Sequence, residues 1–389
     1  MRWQATVLAA ALCTLAAGCG SGDIHVDLDE LNVGAYSTVA RTIPNLPSPA
    51  DGTVLEGLRM SDAVADTSQF GSELNYLWQA GPIPDSTSIV PVVGEAGKQV
   101  LDQRGWVAGY RASYADTPKL PDGSAPQSYI GLSIMLLRFP DDAAAREAAS
   151  ALEVANWTDF GMTIAAPLPK HPELAARYTP GTGALLLDTP IGPFVLRLML
   201  EAPPEGIETR IGELDAAVDE EEALLQAFTP TPISEIPSLP RDPDGLLAHM
   251  VATAPTDPPP PSATFAVYGP TGALRDQLPE VRRDKLYEKW GVDRFAVSGT
   301  QHLYRLRDNQ AAKDMAAEFI AQSSGAEHEI EADLNVPDTR CFQTNAPPAG
   351  VPGYTCRMVY ENLYTTVRAN TASSVKEMTA AQYALLATR

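Results

Sequence analysis

The sequence predicts an α+β protein built from two tandem copies of one unit, with mainly antiparallel sheets and helices packed on one face. A strand-to-helix junction recurs without gaps, because 137–152 matches 304–319 at a constant offset of 167 residues. Each copy also closes on an amphipathic helix that carries an Ala-Leu-Leu triplet, at 213–228 and 374–387. Each unit is therefore predicted as helix, strand, helix, hairpin, helix.

The recurring junction has the features of a helix start. An apolar run ends, Asp141 or Asp308 stands where an N-cap is expected, and alanines then follow at helical spacing. Upstream, Gly57-Leu58 resembles Gly245-Leu246, which predicts a short helix in each copy. The first copy has extra residues, and the polar stretch 116–124 is predicted to be an inserted loop.

The second half of each unit is predicted to contain a hairpin. In the first copy it runs over 185–200 around a Pro-Ile-Gly-Pro turn, and in the second over 356–369. Arg197 and Arg368 are predicted to occupy equivalent places in the two hairpins. Closely spaced prolines at 230–240 predict an extended connector between the copies.

These features divide the chain into five parts. The predicted parts are a lipoprotein signal peptide at 1–18, an acylated N-terminus and tether at 19–50, a first repeat domain at 51–229, a Pro-rich linker at 230–243, and a second repeat domain at 244–389 with a disulfide.

The N-terminus carries a lipobox. Arg2 supplies a positive charge, 7–15 form an apolar core too short to span a bilayer, and small residues precede Cys19. Cys19 is therefore predicted to become the acylated N-terminus, which anchors the protein to the extracytoplasmic face of the cell membrane. An ordinary secretory signal with a chance cysteine and an uncleaved anchor helix are the alternatives.

Two further thiols remain in the predicted exported chain. Cys341 and Cys356 are expected to form a disulfide, since oxidising compartments favour pairing and the proline- and glycine-rich residues between them allow the chain to turn back. A catalytic cysteine is the alternative, although no histidine stands beside either thiol in a known motif.

The formal net charge of −21 argues against a nucleic-acid partner, which requires a basic surface. The acidic run 219–222 is interpreted as a solvated helix face and not as a cation site. The five histidines show no metal-ligand spacing, so no metal and no cofactor are predicted. The sequence 131–135 has one glycine too few for a nucleophile elbow, and no catalytic residue is assigned.

Two arginines and four aromatic residues are the candidates for ligand binding. Arg138 and Arg305 are equivalent across the repeat, and such a pair suits a carboxylate or a phosphate. The alternative is that they pair with Asp141 and Asp308 and hold the turn into the helix. Aromatic side chains near the predicted inserted loop are candidates for lining a groove, with core packing as the alternative; they are Trp106, Tyr110, Tyr114 and Tyr129.

The chain resembles a family of uncharacterised two-domain lipoproteins from mycobacteria, nocardiae and related actinobacteria. The resemblance covers nearly the whole mature chain and implies location and architecture, without a reaction. It rests on the lipobox, 31–36 with Thr38 and Arg41, 56–60, 242–247, and 292–296 leading into Tyr304-Arg305.

The leading functional prediction is a non-catalytic binding or accessory protein of the cell envelope. Its expected partners are the membrane, through the N-terminal lipid, and an envelope protein or an amphiphilic ligand held in a cleft between the copies. An envelope hydrolase or transferase with an unfamiliar site is one alternative. A structural spacer or scaffold is the other.

Overall fold

The computed structural model describes residues 26–67, 73–120, 122–252, 258–275, 288–347 and 350–389. The predicted signal peptide and Cys19 lie outside the described residues. Across the described residues, no helix combines the length and the apolar character needed to cross a membrane.

Among its described residues, the first domain has four α-helices and seven strands. They are α1 (Pro49–Met60), β1 (Tyr76–Pro82), α2 (Val90–Arg104), β2 (Ala108–Ala115), β3 (Gly131–Arg138), α3 (Asp142–Phe160), β4 (Ile164–Pro167), β5 (Ala175–Tyr178), β6 (Ala184–Ile191), β7 (Phe194–Glu201) and α4 (Ile211–Ala227). Short 3-10 helices lie at Leu28–Glu30, Ser61–Ala63, Ile207–Arg210, Ile233–Ser238, Leu247–His249 and Gly272–Arg275.

The second domain repeats this plan with fewer described helices. Its elements are β8 (Phe265–Tyr268), β9 (Arg294–Ser298), β10 (Gln301–Arg305), α5 (Asn309–Ser323), β11 (Glu327–Ile330), β12 (Thr339–Thr344), β13 (Tyr354–Tyr360), β14 (Leu363–Ala369) and α6 (Ala372–Ala387). The first Gly-Leu motif lies within α1. The second is followed by a shorter 3-10 helix, Leu247–His249.

The two sheets have the same strand order. The first runs β1-β2-β3-β7-β6-β5-β4, and the second runs β8-β9-β10-β14-β13-β12-β11 when it is read from the opposite edge. All pairings given by the registers are antiparallel. The predicted α+β class and tandem duplication are therefore confirmed.

The predicted helix starts have the expected chemistry in both copies. The Asp141 carboxylate accepts a hydrogen bond from the Ala144 amide at 2.9 Å, and Asp308 accepts one from Ala311 at 2.7 Å. Each bond satisfies one of the amides that the first turn of a helix leaves without a partner.

The helices cover both faces of each sheet, whereas the sequence pattern placed them on one. In β3, Leu136 packs in the cluster that contains α1 and α4, while its neighbour Leu137 packs in the cluster of α2 and α3. In β10, Tyr304 packs with α5 and Leu303 with α6. Successive residues of a strand point to opposite faces, so each sheet is buried on both sides.

The predicted insertion lies between the second and third strands of the first sheet. Residues 116–130 join β2 to β3, whereas the equivalent strands β9 and β10 are joined by 299–300 alone. The first copy therefore differs from the second by a long surface loop.

The register corrects one predicted equivalence. In the first sheet, Arg197 lies opposite Met135. The residue equivalent to Met135 in the second copy is His302, which lies opposite Thr366. Thr366, and not Arg368, is therefore the residue equivalent to Arg197. Arg197 forms a buried ion pair with Asp188 at 2.8 Å. This pair belongs to the first copy, because Thr366 has no charge.

A disulfide joins Cys341 to Cys356, which face each other on the neighbouring strands β12 and β13. Both residues are buried in an apolar cluster that also contains residues of α6. The thiols are therefore used in a structural crosslink within the second domain.

The residues that precede α1 lie along the second domain. Val26 and Leu31 are buried in its apolar cluster. Arg41 donates to the Leu247 carbonyl at 3.1 Å and to the Ser298 hydroxyl at 3.0 Å, and its guanidinium lies over the Phe265 ring. Residues 26–41, which the sequence analysis assigned to the tether, are thus attached to a domain that follows them by more than 200 residues.

The linker is attached to the first domain. Ile236 in its 3-10 helix is buried, and an added side chain at Gly52 of α1 would place its Cβ 2.4 Å from the Ile236 carbonyl oxygen. Glycine at this position therefore permits the close approach. One apolar cluster contains both Leu58 of α1 and Tyr268 of β8, so the core continues from one domain into the other.

Candidate functional site

Arg138 is held in a buried cluster of polar groups beneath the linker. Its guanidinium donates to the Glu56 carboxylate of α1 and to the Thr231 carbonyl. Glu56 is fully buried and also accepts from Arg59 at 2.7 Å, from the Thr231 amide at 3.1 Å and from the Thr231 hydroxyl at 2.6 Å. We call Glu56, Arg59 and Arg138 the first arginine cluster.

Arg305 has an equivalent acid in the second copy. Asp244 precedes Gly245-Leu246 as Glu56 precedes Gly57-Leu58, and it lies 3.6 Å from the Arg305 guanidinium. Asp244 also accepts from Arg294 at 2.6 Å, while Arg305 donates to Asp293 at 2.8 and 2.9 Å. We call Asp244, Asp293, Arg294 and Arg305 the second arginine cluster.

The partners of the two arginines differ from those proposed in the sequence analysis. Asp141 and Asp308 cap helices, while Glu56 and Asp244 meet the equivalent arginines. Sequence reasoning missed both acids. The signal was present, because an acid stands immediately before the recurring Gly-Leu motif in each copy.

Burial and charge affect the two clusters differently. Burial lowers the pKa of Arg138, and the adjacent Glu56 carboxylate opposes this effect. Burial also acts to raise the pKa of Asp244, but its bonds to Arg294 and Arg305 outweigh burial and hold that pKa below the usual value. The bond to Asp293 raises the pKa of Arg305. Asp244 and Arg305 are therefore both charged at neutral pH.

A cleft of about 610 Å³ lies between the two domains. The C-terminal end of α1, the end of α4, the linker, and β8 and β9 form its walls. Its apolar surface includes Leu55, Leu58, Leu224, Phe228, Leu239 and Val267. This volume is within the range of small-molecule sites.

Three arginines and one acid line the same cleft. Arg59 comes from the first arginine cluster, Arg294 from the second, and Arg241 from the linker between them. Asp62 is the acid, and it accepts a hydrogen bond from the Gly272 amide at 2.8 Å. Arginines therefore outnumber acids among the lining side chains, and each of them is paired with an acid behind the wall.

The four aromatic candidates lie in different surroundings. Tyr110 and Tyr114 are buried among the residues that pack with α1, and the Tyr114 hydroxyl donates to Asp66 at 3.2 Å. Trp106 is half-buried against the cluster of α2 and α3. Only Tyr129 belongs to the inserted loop, where its ring centre lies 4.7 Å from that of Trp78. The structure thus does not bring the four into one groove.

Tyr129 has a shifted acidity. Burial and the nearby Glu201 carboxylate raise the pKa of Tyr129 to about 12, so its hydroxyl is neutral at physiological pH. The Trp78 indole donates to the Thr117 carbonyl at 2.8 Å, which attaches the inserted loop to β1.

The described residues contain neither a metal-binding cluster nor a nucleophile elbow at 131–135. Among them, no group of three or more His, Cys, Asp or Glu side chains is arranged to hold a metal ion. Ser133, from the glycine-containing sequence at 131–135, lies within β3 and shares a hydrogen bond of 2.8 Å with Ser113. It is a strand residue and does not stand on a strand-to-helix turn.

The fold and the cleft define a two-domain α+β protein with a candidate ligand site between tandem repeats. Residues 43–241 match the family model described as Domain of unknown function (DUF7373) N-terminal, and residues 246–389 match its C-terminal counterpart. The chain therefore belongs to the DUF7373 family. No curated protein and no solved structure matches it. The prediction that the chain belongs to an uncharacterised two-domain family is therefore confirmed.

Proposed function

We propose that this protein is a lipid-anchored, extracytoplasmic binding protein of the actinobacterial cell envelope, and that it holds an amphiphilic ligand in the cleft between its domains. The lipobox that ends at Cys19 supports the anchor. The cleft supports the binding function, because it combines apolar side chains with a few polar groups in a concave site.

The position of the cleft carries the proposal. Its walls come from both repeats and from the linker, and the apolar core continues behind it through Leu58 and Tyr268. A site whose walls share one core is preformed, so little of the binding energy is used to order it. A spacer has no need of such a site.

The chemistry of the lining favours binding over hydrolysis or group transfer. The described lining contains no histidine, serine or cysteine; its hydroxyl groups are those of Thr229, Thr271 and Tyr268, and its single acid, Asp62, is bonded to a backbone amide. A nucleophile with an adjacent general base is the usual requirement for acyl transfer. The cleft offers arginines instead, which recognise charge without reacting.

The anchor is tested by replacing Cys19. The Cys19→Ala variant has no thiol for the lipid, so we expect it to move from the membrane fraction to the soluble or secreted fraction. Immunoblotting of fractionated cells measures the distribution, and Cys13→Ala is the matched control that stays in the membrane. Membrane retention of Cys19→Ala would contradict the anchor.

The binding function is tested by filling the cleft. Ala227 lines it near the end of α4, and we expect Ala227→Trp to weaken binding of an environment-sensitive apolar dye by about tenfold or more, a loss of about 1.4 kcal/mol. Ala223→Trp is the matched control, because Ala223 is exposed on the same helix but lies outside the lining. Equal dye binding by both variants would place the ligand elsewhere.

A further inference from the structure

We propose that the ligand of the cleft carries an anionic group, a carboxylate or a phosphate, attached to an apolar chain. This inference rests on the proposed binding function and specifies its ligand. It is carried by the juxtaposition of Arg59, Arg241 and Arg294 with the leucine-rich wall of the same cleft.

Charge selects the sign of the ligand. The lining contains three guanidinium groups and one carboxylate, and each arginine is also paired with an acid behind the wall: Arg59 with Glu56, Arg241 with Asp51 and Arg294 with Asp244. What the cleft offers to a ligand is therefore the N–H donors that these pairs leave over. Guanidinium groups bind carboxylates and phosphates with paired hydrogen bonds. A guanidinium group has no acceptor to offer a cation, and an uncharged head group would form only weaker, neutral hydrogen bonds with the remaining donors.

The arginines are held by partners behind the wall and retain donors for a ligand. Arg241 is bonded to Asp51 through Nη2, and its side chain is 18% exposed. Arg294 uses Nε and Nη1 for Asp244 and the Asp293 carbonyl, while its side chain remains 35% exposed. A guanidinium has five N–H donors, so each group has donors beyond those bonds.

The acids behind the wall fix the arginines in place. Arg59 is bonded to Glu56 and to the Thr229 carbonyl, and its guanidinium lies 5.4 Å from the centre of the Phe228 ring. Side chains held in this way lose little conformational entropy when they bind. The anion site is therefore preorganised by both arginine clusters.

The apolar wall accounts for the rest of the ligand. Leu55 and Leu58 project from α1, Leu224 and Phe228 from the end of α4, and Val267 from β8. An apolar chain placed against them loses its contact with water, which is favourable at roughly 25 cal/mol per Å² of buried apolar area. The head of the ligand then lies at the arginines and its tail along the leucines.

Calorimetric titration with a matched series of twelve-carbon probes tests this assignment. Dodecanoate, dodecyl phosphate, dodecanol and dodecyltrimethylammonium are each added below the concentration at which they form micelles, and inorganic phosphate is added alone. We expect at least one of the two anionic probes to bind about tenfold or more tightly than dodecanol and the cation. The difference between carboxylate and phosphate then identifies the head group.

Variants of the cleft arginines provide the second arm. Arg294→Gln and Arg241→Gln are each expected to weaken binding of the preferred anion by about tenfold and to leave dodecanol binding unchanged. For Arg294→Gln, Asp244 retains Arg305 as a partner, so folding is maintained. The control is Arg340→Gln, because Arg340 forms a comparable pair with Glu329 but lies outside the lining.

The outcomes separate this inference from the proposed function. Dodecanol binding as tightly as both anions, or anion binding that survives both cleft substitutions, would overturn the anionic ligand and leave the binding function standing. Inorganic phosphate binding as tightly as dodecyl phosphate would overturn the apolar part. If no twelve-carbon probe binds, the proposed binding function fails together with the inference.

Discussion

Replacing Arg138 with methionine is expected to lower the free energy of unfolding by about 3 kcal/mol. Arg138 pairs with Glu56, which is fully buried, and the variant removes one of the two cations that compensate this carboxylate. Arg59 remains, but its side chain is 42% exposed. Methionine fills similar space without the charge, and denaturation in guanidinium chloride followed by circular dichroism measures the loss.

The repeat provides the matched control for this prediction. Arg305→Met makes the same change at the equivalent position, where the partner Asp293 is 55% exposed, so we expect a loss of about 1 kcal/mol or less. Adding Glu56→Gln to Arg138→Met removes the uncompensated charge and is expected to recover part of the stability. Equal losses at Arg138 and Arg305 would show that burial of the acid does not decide the effect.

Replacing Glu221 with glutamine is expected to remove most of the pH dependence of stability between pH 5 and 8. Glu221 lies on α4, fully buried, and one carboxylate oxygen accepts from the Ala65 amide at 2.7 Å. Burial raises the pKa of Glu221 from 4.5 to about 8. The hydrogen bond from Ala65 opposes this rise, and the negative charge of nearby Glu220 adds to it. In this interval the folded protein keeps a proton that the unfolded chain releases.

The sign follows from this difference in bound protons. Stability contributed by neutral Glu221 is fully present below pH 4.5 and is lost as the pH rises through 8, by roughly 5 kcal/mol in total. Glutamine does not titrate, so the free energy of unfolding of Glu221→Gln is expected to lack this contribution and to keep the one from His171, whose pKa is raised by its bond to Asp219. At pH 9 the variant is therefore expected to be the more stable protein.

Urea denaturation at pH 5, 7 and 9 checks the prediction. Glu222→Gln is the control, because Glu222 is the next residue of α4 and is exposed. Its stability is expected to follow that of the unmodified protein at every pH. A Glu221→Gln profile parallel to the unmodified protein would mean that Glu221 does not retain its proton in the fold.

Local patterns predicted the repeat and its junctions because both depend on neighbouring residues. Asp141 and Asp308 cap their helices through contacts that span three residues, and such contacts are visible in the sequence. The sequence also contained a signal for helices on the second face of the sheet. The run 134–137 is continuously apolar, which is typical of a strand buried on both faces, and the helices do cover both faces of β3.

The candidate site required the structure because its residues are far apart in the chain. Arg138 and Glu56 lie 82 positions apart in the chain, and the residues around each of them do not indicate that the two side chains meet. The cleft depends on how two domains and a linker meet, so Arg59 and Arg294 have no sequence relation that places them on one surface. The recurring acid before Gly-Leu was the single accessible clue.

The attachment of residues 26–41 to the second domain would limit the height of the protein above a bilayer if the proposed lipid anchor at Cys19 is present. Val26 is buried in that domain and follows Cys19 by seven positions. An extended chain of that length reaches about 25 Å. If Cys19 carries the lipid, the second domain stands close to the membrane surface, and a ligand drawn from the bilayer has a short path to a cleft that this domain helps to form.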